Sequence, residues 1–353
     1  MQNLLLKGGK VFDGQTFLLK DVLIENGKIA ALGNVESEDA LHIDVSGCLV
    51  SSGLVDIHTH LWEMGCPQFG FPADLATIPF GVTYAVDACS ECSDNQILDN
   101  LCVETRAFIP VQIKGDSLDY ASIEEKLSNY GKRAIGIKVF FDESQNNSIT
   151  IEHLRLACEF AQSKNLKVMV HSTGSPVPME NVIETLNTGD ILTHTYHGGK
   201  HTVEENNYIA YHLAKEKGVV IDAGMAGGVH TDFEVLRRAI AKGYIPDTIS
   251  SDITIASAYM RGGIYGLPMC MSILKSFGME EERVFQAVTV NAAKAVGQES
   301  WFGFKIGKQA TMSVLKCDSV QINMRDRAGN SISVERGYTC QMAIKNGQII
   351  YRK

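Results

Sequence analysis

The chain has 353 residues, of which 45% are hydrophobic and 21% are charged, as in globular proteins with a large core. Its net charge of −9, without a Lys/Arg-rich run, argues against nucleic acid or an anionic membrane surface as a partner. Nine scattered cysteines do not suggest a disulfide framework, no apolar run could span a bilayer, and the N-terminus lacks the features of a secretion signal, so we expect a cytoplasmic protein.

Both ends of the chain are predicted to form short β-strands. Two strand-like runs flank Asn26-Gly27 near the N-terminus, and two more flank Asn346-Gly347 near the C-terminus. Asn-Gly between such runs is a strong hairpin signal, because both residues accept a positive φ. Since neither end could bury a core by itself, residues 1–50 and 304–353 are predicted to form one small β-sandwich domain.

Eight apolar runs follow one another through the middle of the chain, at intervals of roughly 25 to 30 residues, the period of a strand, a helix and two loops. They begin near Leu54, Val82, Phe108, Ile135, Leu166, Ile191, Val219 and Thr248. Helix-like periodicity lies between several of them, as in residues 151–163 and 232–242. The prediction is an α/β fold, a (β/α)8 TIM barrel over residues 51–303, with its chemistry at the C-terminal ends of the strands.

The first of these runs, residues 54–60 (LVDIHTH), ends with two histidines at positions i and i+2. In a strand these side chains project from the same face, so His58 and His60 can reach one point. Two neutral imidazoles side by side suit a divalent metal. The alternative is a pair of surface histidines, and the choice depends on whether other strands supply partners.

Other predicted strands do supply metal-binding residue types. Lys138 lies inside the fourth run, His171 and His194 end the fifth and sixth, and Asp252 ends the eighth. Each of them alone could have a structural role. Together they predict a metal site, because a barrel mouth with four histidines and no metal would bury polar groups without compensation.

Cys89 and Cys92 follow the second run with CxxC spacing. A zinc knuckle would need a second such pair, and a redox pair would need thioredoxin-like surroundings; the sequence has neither. Coincidence is the preferred interpretation, and a position of Cys89 near the active site is the alternative.

The order of these residue types along the chain resembles the ligand pattern of the amidohydrolase superfamily of binuclear metallohydrolases. The matching residues are His58, His60, Lys138, His171, His194 and Asp252. Residues 52–56, 289–297 and 303–315 also resemble the family, although it usually has Pro in place of Ser52 and commonly an acidic residue within 310–312.

The resemblance implies two divalent metal ions. The two histidines of the first strand and Asp252 would hold the more buried ion, and His171 and His194 the more exposed one. A carbamate formed on Lys138 by carbon dioxide would bridge them together with a hydroxide. Burial favours the neutral amine that reacts with carbon dioxide, and the carbamate is an anion with two oxygen donors. Zinc is the default metal, but manganese, iron or cobalt would fit the same donors.

The implied function is hydrolysis of an amide or ester bond in a small N-acyl or O-acyl compound by the bridging hydroxide, as in the deacetylase-like branch of the family. Asp252 would be the catalytic residue that moves the proton from the hydroxide to the leaving group. Trp62 stands where dihydroorotase-like members typically have Arg, which argues against a dihydroorotase. The main alternative is a cyclic amidase of the dihydroorotase or hydantoinase type. A purine or pyrimidine deaminase and a non-catalytic scaffold of the same fold are the others.

The loops after the strands contain candidate substrate contacts, namely Trp62, Tyr196, His197, Gly227, His230 and Arg261. The glycine-rich residues 224–230 would let a substrate approach the backbone closely. Arg261 would bind a substrate carboxylate in bidentate fashion, with a solvated loop arginine as the alternative. The expected partner is a small acyl compound. The sequence leaves open its identity, the metal and the formation of homo-oligomers.

Overall fold

A computed structural model describes residues 2–66, 68–91, 95–145, 148–260 and 265–353. The chain is an α/β protein whose first fifty residues are strands joined by short turns. These strands are β1 (Leu4–Lys7), β2 (Lys10–Phe12), β3 (Phe17–Leu19), β4 (Asp21–Glu25), β5 (Lys28–Gly33), β6 (Leu41–Asp44) and β7 (Cys48–Ser52).

Nine strands follow in the middle of the chain. They are β8 (Leu54–Thr59), β9 (Val82–Asp87), β10 (Glu104–Pro110), β11 (Ile113–Lys114), β12 (Ser117–Leu118), β13 (Ala134–Phe140), β14 (Lys167–His171), β15 (Ile191–Thr193) and β16 (Val220–Ile221). Strands β11 and β12 pair only with each other. The other seven form one parallel sheet in the order β8-β9-β10-β13-β14-β15-β16, so all of their C-terminal ends lie along the same side.

Residues 248–253 connect the two edges of this sheet. The backbone of Thr248 accepts a hydrogen bond from Ala223, just after β16 (3.0 Å), and that of Asp252 donates one to His58 of β8 (2.8 Å). Isolated parallel bridges at Asp222↔Thr248 and Thr59↔Ile253 mark the same two contacts. The segment therefore lies where an eighth strand would close the sheet into a ring.

Helices alternate with these strands. They are α1 (Ala73–Thr77), α2 (Asn95–Asp99), α3 (Tyr120–Tyr130), α4 (Ile151–Ser163), α5 (Met179–Thr185), α6 (Glu205–Lys217), α7 (Phe233–Ala241), α8 (Ile255–Met260), α9 (Leu267–Ser276), α10 (Glu281–Ala287) and α11 (Val290–Ala295). Helix α4 shows why they form: Thr150 supplies its capping box, and Leu154, Ala157, Cys158 and Ala161 place one apolar stripe in the core. Among the described residues, no helix has the length and apolarity needed to cross a membrane.

Strands β17 (Met312–Arg325), β18 (Ser331–Lys345) and β19 (Gln348–Arg352) complete the chain. They join strands from the other terminus in a six-stranded sheet, β19-β18-β17-β7-β2-β3, while β5-β4-β1-β6 form a second sheet. The two predicted Asn-Gly hairpins are confirmed, between β4 and β5 and between β18 and β19. In both turns the Asn and the Gly have positive φ, as the sequence requires.

Which side chains of a central strand project towards the site depends on the face of the strand on which they lie. Val55 and Ile57 of β8 pack in an apolar cluster that also contains Tyr84 of β9. Because side chains alternate along a strand, Asp56 and His58 project from the opposite face of β8. The Asp56 carboxylate there accepts a hydrogen bond from the backbone of Ser251 (3.1 Å), which ties β8 to the segment that bears Asp252.

Candidate active site

The six predicted metal ligands lie together at the C-terminal ends of the parallel strands. His58 is in β8 and His60 follows it, Lys138 is in β13, His171 ends β14, His194 follows β15, and Asp252 lies in the segment 248–253. All six side chains are buried. Residues up to 194 positions apart in the chain are therefore brought to one place by the parallel order of the strands.

The Asp252 carboxylate is the centre of this cluster. Its Oδ1 lies 2.9 Å from His60 Nε2 and 3.4 Å from His58 Nε2, and its Oδ2 lies 3.7 Å from His194 Nε2. Three imidazoles from two separate strands thus face one anion. Such a set of donors fits a divalent metal bound by imidazole and carboxylate.

Lys138 extends its amine into the same cluster. Its Nζ lies 3.3 Å from His58 Nε2, and the side chain is completely buried. Among the described residues, no carboxylate lies within 4.0 Å of this amine. Burial lowers the pKa of Lys138 to about 8, although the nearby Asp252 and Asp222 charges oppose the shift. An appreciable fraction of this amine is consequently neutral near pH 7, as reaction with carbon dioxide requires.

Two of the six residues have strained backbones. His194 has a φ of +60° and Asp252 a φ of +49°, in the left-handed region that residues other than glycine rarely adopt. Such conformations cost on the order of 1–3 kcal/mol each and persist where the surroundings impose them, commonly at functional sites. The strain therefore marks the same residues that the sequence pattern singled out.

A buried hydrogen-bond chain fixes the orientation of His58. The Asp222 carboxylate accepts hydrogen bonds from the hydroxyls of Thr193 (2.7 Å), Thr248 (2.8 Å) and Ser250 (2.6 Å). Because the Thr193 hydroxyl gives its only proton to Asp222, its oxygen accepts from Nδ1 of His58 at 3.0 Å. Nε2 of His58 is then left with a lone pair that faces the site, as a metal ligand needs.

His194 is oriented in the same way by the backbone. Its Nδ1 lies 2.7 Å from the carbonyl oxygen of Gly224, which can only accept a hydrogen bond. Nδ1 must therefore carry the proton, and the lone pair of Nε2 points towards Asp252. A side chain at Gly224 would place its Cβ 2.6 Å from Nδ1 of His194, so glycine is required for this contact.

The charge state of the cluster suits cation binding. Burial lowers the pKa of His58 and His194 well below 6.5 and also lowers that of His171, so these rings are neutral near pH 7. Burial acts to raise the pKa of Asp252, but the neighbouring histidines, His58 and His60 first, outweigh it and hold this pKa well below its usual range. The site offers neutral nitrogen lone pairs and one carboxylate anion.

A second group of three imidazoles lies beside the first. His171, His194 and His230 each offer one nitrogen, and these atoms lie within 4.8 Å of one another. Nε2 of His171 and Nδ1 of His230 are buried without a hydrogen-bond partner among the described residues. The Asp142 carboxylate lies 3.6 Å from Nε2 of His171, and this contact acts to raise the pKa of His171 against the larger effect of burial. The sequence had suggested His230 only as a substrate contact.

A third group lies behind His60. One nitrogen of His60, Sγ of Cys66 and a carboxylate oxygen of Asp87 lie within 4.8 Å of one another. Burial raises the pKa of Asp87 in spite of several hydrogen bonds to its carboxylate, including one from the backbone of Cys89. Cys89 thus lies close to the site, as the alternative interpretation expected, whereas Cys92 lies outside the described residues.

Sequence reasoning missed Asp87, Asp142, Asp222 and Thr193. A signal for the three carboxylates was present, because Asp87 ends β9 and Asp142 and Asp222 follow β13 and β16 within two residues. The rule that chemistry lies at strand ends applies to them as well as to the histidines. Thr193 carried no such signal, since buried threonines are common in strands.

The predicted substrate contacts have different environments. Tyr196 is buried and its hydroxyl donates to the carbonyl of Tyr244, so it belongs to the core. His197 is also buried, and its Nδ1 lies 2.9 Å from the carbonyl oxygen of Gly198. Gly227 is buried as well, and its backbone N–H donates a hydrogen bond to the Tyr265 hydroxyl. Trp62 is 58% exposed in a 3₁₀ turn after β8. Arg261 lies outside the described residues.

A cavity of about 390 Å³ is lined by one member of the second imidazole group, His230. Its lining includes His230, Asp142, Thr173 and the cations Lys200 and Arg327. Arg327 comes from residues 326–330, the tip of the hairpin between β17 and β18, so a terminal sheet contributes to the wall. This tip is fixed because the backbone of Arg327 donates to the carbonyl of Gly228 at 3.0 Å.

Comparisons with known proteins are consistent with this geometry. No protein-family model matches the chain. A deacetylase of Agrobacterium fabrum is 27% identical to it over 94% of this chain and 86% of its own length. A deacetylase of Enterococcus faecalis is 25% identical over 93% of each chain. Among solved structures, one titled as a dihydroorotase has a TM-score of 0.86 and 25% identity, covering 99% of each chain. One titled as an adenine deaminase has a TM-score of 0.85 and 21% identity, covering 100% of each chain.

Proposed function

Because the chain belongs to the amidohydrolase superfamily, we propose that it is a metal-dependent hydrolase that cleaves the amide or ester bond of a small N-acyl or O-acyl compound. The observation that carries the proposal is the convergence of three histidines on the Asp252 carboxylate, at 2.9, 3.4 and 3.7 Å, beside the buried amine of Lys138. A set of neutral imidazoles, one carboxylate and an available amine has few uses other than metal binding.

We infer two divalent metal ions in this site, with zinc as the default. His58, His60 and Asp252 would hold one ion, and His171 and His194 the other. Lys138, as a carbamate, would lie between them and convert a buried cation into an anionic ligand. The lone pairs that Thr193 and Gly224 direct into the site support this assignment.

When bound, the two ions would supply Lewis acidity towards the substrate carbonyl and would lower the pKa of a water molecule. The part played by the chain is proton transfer. Asp252 is ionised in the resting site, so it can accept a hydrogen bond from this water and take its proton. The hydroxide that remains adds to the carbonyl carbon, and Asp252 delivers the proton to the leaving nitrogen or oxygen as its bond to that carbon breaks. The products are an amine or alcohol and a carboxylic acid, which loses its proton to the amine or to solvent. Burial of the cluster excludes other water molecules from this exchange.

The substrate class is inferred from the relatives and from the cavity. Three relatives that match 93–94% of the chain are named deacetylases, which supports a small acyl group as the part removed. Lys200 and Arg327 in the cavity wall are exposed cations suited to a substrate carboxylate. Three acidic residues also line the cavity: Asp142 and Asp232 cap backbone N–H groups of their own loop or helix, and Glu143 is exposed. A carboxylate-bearing acyl compound is therefore our preferred substrate.

The same relationship supports the finer description of the fold. We infer that the seven parallel strands and residues 248–253 form a (β/α)8 barrel over residues 51–303. The two terminal sheets, from residues 1–50 and 304–353, would form one β-sandwich. In support, a single apolar cluster contains Leu4 and Ile24 from one terminal sheet and Val50 and Val314 from the other. The last two residues of β7 lie beyond residue 50, so the sandwich sheet continues into the first loop of the barrel.

A cyclic amidase remains the second candidate, favoured by the solved structure titled as a dihydroorotase. The curated dihydroorotases cover less of this chain than the deacetylases do: one from Bacillus cytotoxicus matches 18% of it and one from Geobacter sulfurreducens matches 54%. Trp62 also stands where dihydroorotase-like members typically have an arginine that holds the substrate carboxylate, which argues against this candidate.

Two measurements test the proposal. Metal analysis of the purified protein should find about two divalent ions per chain, and a screen should find hydrolysis of N-acetyl amino acids or acyl esters. Near-zero metal would contradict a metalloenzyme and leave the scaffold alternative. Turnover of dihydroorotate or hydantoins, with none of linear acyl compounds, would replace the substrate class with the cyclic one.

The role of the cavity is tested separately with Arg327→Gln. We expect KM for an N-acetyl amino acid to rise by about 10-fold or more, while kcat/KM for the corresponding N-acetyl amino amide, which lacks the carboxylate, stays unchanged. Equal losses for both substrates would show that Arg327 does not recognise a carboxylate. Arg336→Gln, an exposed change on β18 away from the cavity lining, is the matched control.

A further inference from the structure

His230 lies against two predicted ligands of the more exposed metal ion. Its ring centroid is 4.2 Å from that of His194 and 4.7 Å from that of His171. The six-position pattern of the sequence does not include it. These two distances nevertheless lie on either side of the 4.5 Å between the rings of His171 and His194.

The hydrogen bonding of the three rings leaves nitrogens available. His194 uses Nδ1 for the Gly224 carbonyl, which leaves the lone pair of Nε2. Nδ1 of His230 is buried without a hydrogen-bond partner among the described residues, and Nε2 of His171 has only the Asp142 carboxylate near it, at 3.6 Å. A buried polar atom without a partner costs about 1–3 kcal/mol. Because each ring offers one nitrogen and these atoms lie within 4.8 Å of one another, a cation held among them could bind one nitrogen of each ring.

Backbone hydrogen bonds on two sides fix the position of the loop that carries His230. Its residues Met225 and Ala226 donate backbone hydrogen bonds to Ser250 and Ser251, in the segment that also supplies Asp252. On its other side the hairpin tip binds the carbonyl of Gly228. Ala226 has a φ of +47°, a strained conformation that these contacts maintain. The position of His230 is thus set by two different parts of the chain.

We propose that His230 is a third imidazole ligand of the metal ion that His171 and His194 hold, so that this ion has three protein nitrogens in addition to the Lys138 bridge. The inference rests on the proposed function and extends it. Three neutral imidazoles are a well-suited set for zinc, because each contributes one nitrogen without adding charge. The more exposed ion would then be retained in an open cavity where two histidines alone would bind it weakly.

The test uses the holoenzyme with zinc and a competing chelator. We expect His230→Ala to lose one of its two ions at a chelator concentration that leaves wild type intact, with the affinity for that ion reduced by about 100-fold. Thr231→Val, a buried change at the next residue that keeps the imidazole, should retain both ions. Added imidazole should restore the second ion to His230→Ala, although free imidazole ordinarily competes for metal.

The outcomes separate this inference from the function on which it rests. If wild type binds two ions and His230→Ala retains both with unchanged affinity, His230 is not a ligand, and a raised KM in that variant would make it a substrate contact. If wild type itself fails to bind two ions, the proposed function is what fails. The visible absorption of the cobalt-substituted protein gives a second readout, since losing one nitrogen ligand should change the intensity of its bands.

Discussion

Replacing Thr193 by valine should weaken binding of the more buried metal ion without changing any ligand. Thr193 lies between Asp222 and His58, with hydrogen bonds of 2.7 and 3.0 Å. Valine keeps the shape of the side chain and removes the hydroxyl. The Nδ1 proton of His58 then has no acceptor, and the ring is free to adopt the other tautomer, which has no lone pair on Nε2.

The size of the effect follows from these two bonds. A hydrogen bond in a network with a charged group contributes about 1.5–3 kcal/mol. Since about 1.4 kcal/mol corresponds to a tenfold change in affinity, the metal should bind roughly 10- to 100-fold more weakly. The loss of a hydrogen bond behind a ligating histidine typically has an effect of about this size.

Thr248→Val is the matched control. It removes a 2.8 Å hydrogen bond from the same carboxylate of Asp222 but leaves the contact between Thr193 and His58 intact. Zinc affinity, measured by competition with a chromophoric chelator, should fall in Thr193→Val and stay within about threefold of wild type in Thr248→Val. Equal affinities in the two variants would refute the argument that Thr193 sets the tautomer of His58.

Three further predictions concern carboxylates and the buried lysine. Asp252→Asn should retain metal but lose about 10²- to 10⁴-fold in kcat, since it cannot accept a proton; near-normal turnover in steady-state assays would remove Asp252 from the proton path. Reconstitution of metal-free protein should need bicarbonate and should accelerate roughly tenfold from pH 7 to 9, as the Lys138 amine loses its proton around a pKa of about 8; a rate indifferent to both would argue against a carbamate. Burial raises the pKa of Asp222 to about 6. Its contribution to the stability of the metal-free protein is therefore present below about pH 4 and is lost as pH rises through 6. In urea titrations of Asp222→Asn, the free energy of unfolding should therefore vary less with pH than in wild type. An unchanged pH profile would contradict the assignment of this dependence to Asp222.

Much of the site could be predicted because its signals are local. The i, i+2 spacing of His58 and His60 fixes their common face in any strand. The positions of His171 and His194 follow from the ends of apolar runs. Lys138 is unusual as a cation inside such a run, which already indicates a special environment. Each of these inferences needs only a few neighbouring residues.

His230 and Thr193 show where such reasoning stops. A histidine in a glycine-rich loop can point in many directions, and only the contacts of that loop with residues 248–253 and with the hairpin tip decide which. The hydrogen bond from Thr193 to Asp222 likewise joins two strand ends that are 29 residues apart. That Thr193 sets the tautomer of His58 cannot be predicted without knowing that these two strand ends lie within hydrogen-bond distance.

The sequence alone determined the turns, the periodicity of the strands and helices, and the types of residue at the strand ends, because steric limits on φ and the direction of successive side chains act over a few residues. Tertiary structure alone decided that Asp252 meets His58 and His60, that a hairpin from the C-terminal sheet reaches the cavity, and that His230 joins two other imidazoles. These contacts depend on how the parallel strands are aligned and how residues 248–253 connect the two edges of the sheet. Such alignment is a property of the whole packed chain, in which burial and hydrogen bonding of distant segments must be satisfied together.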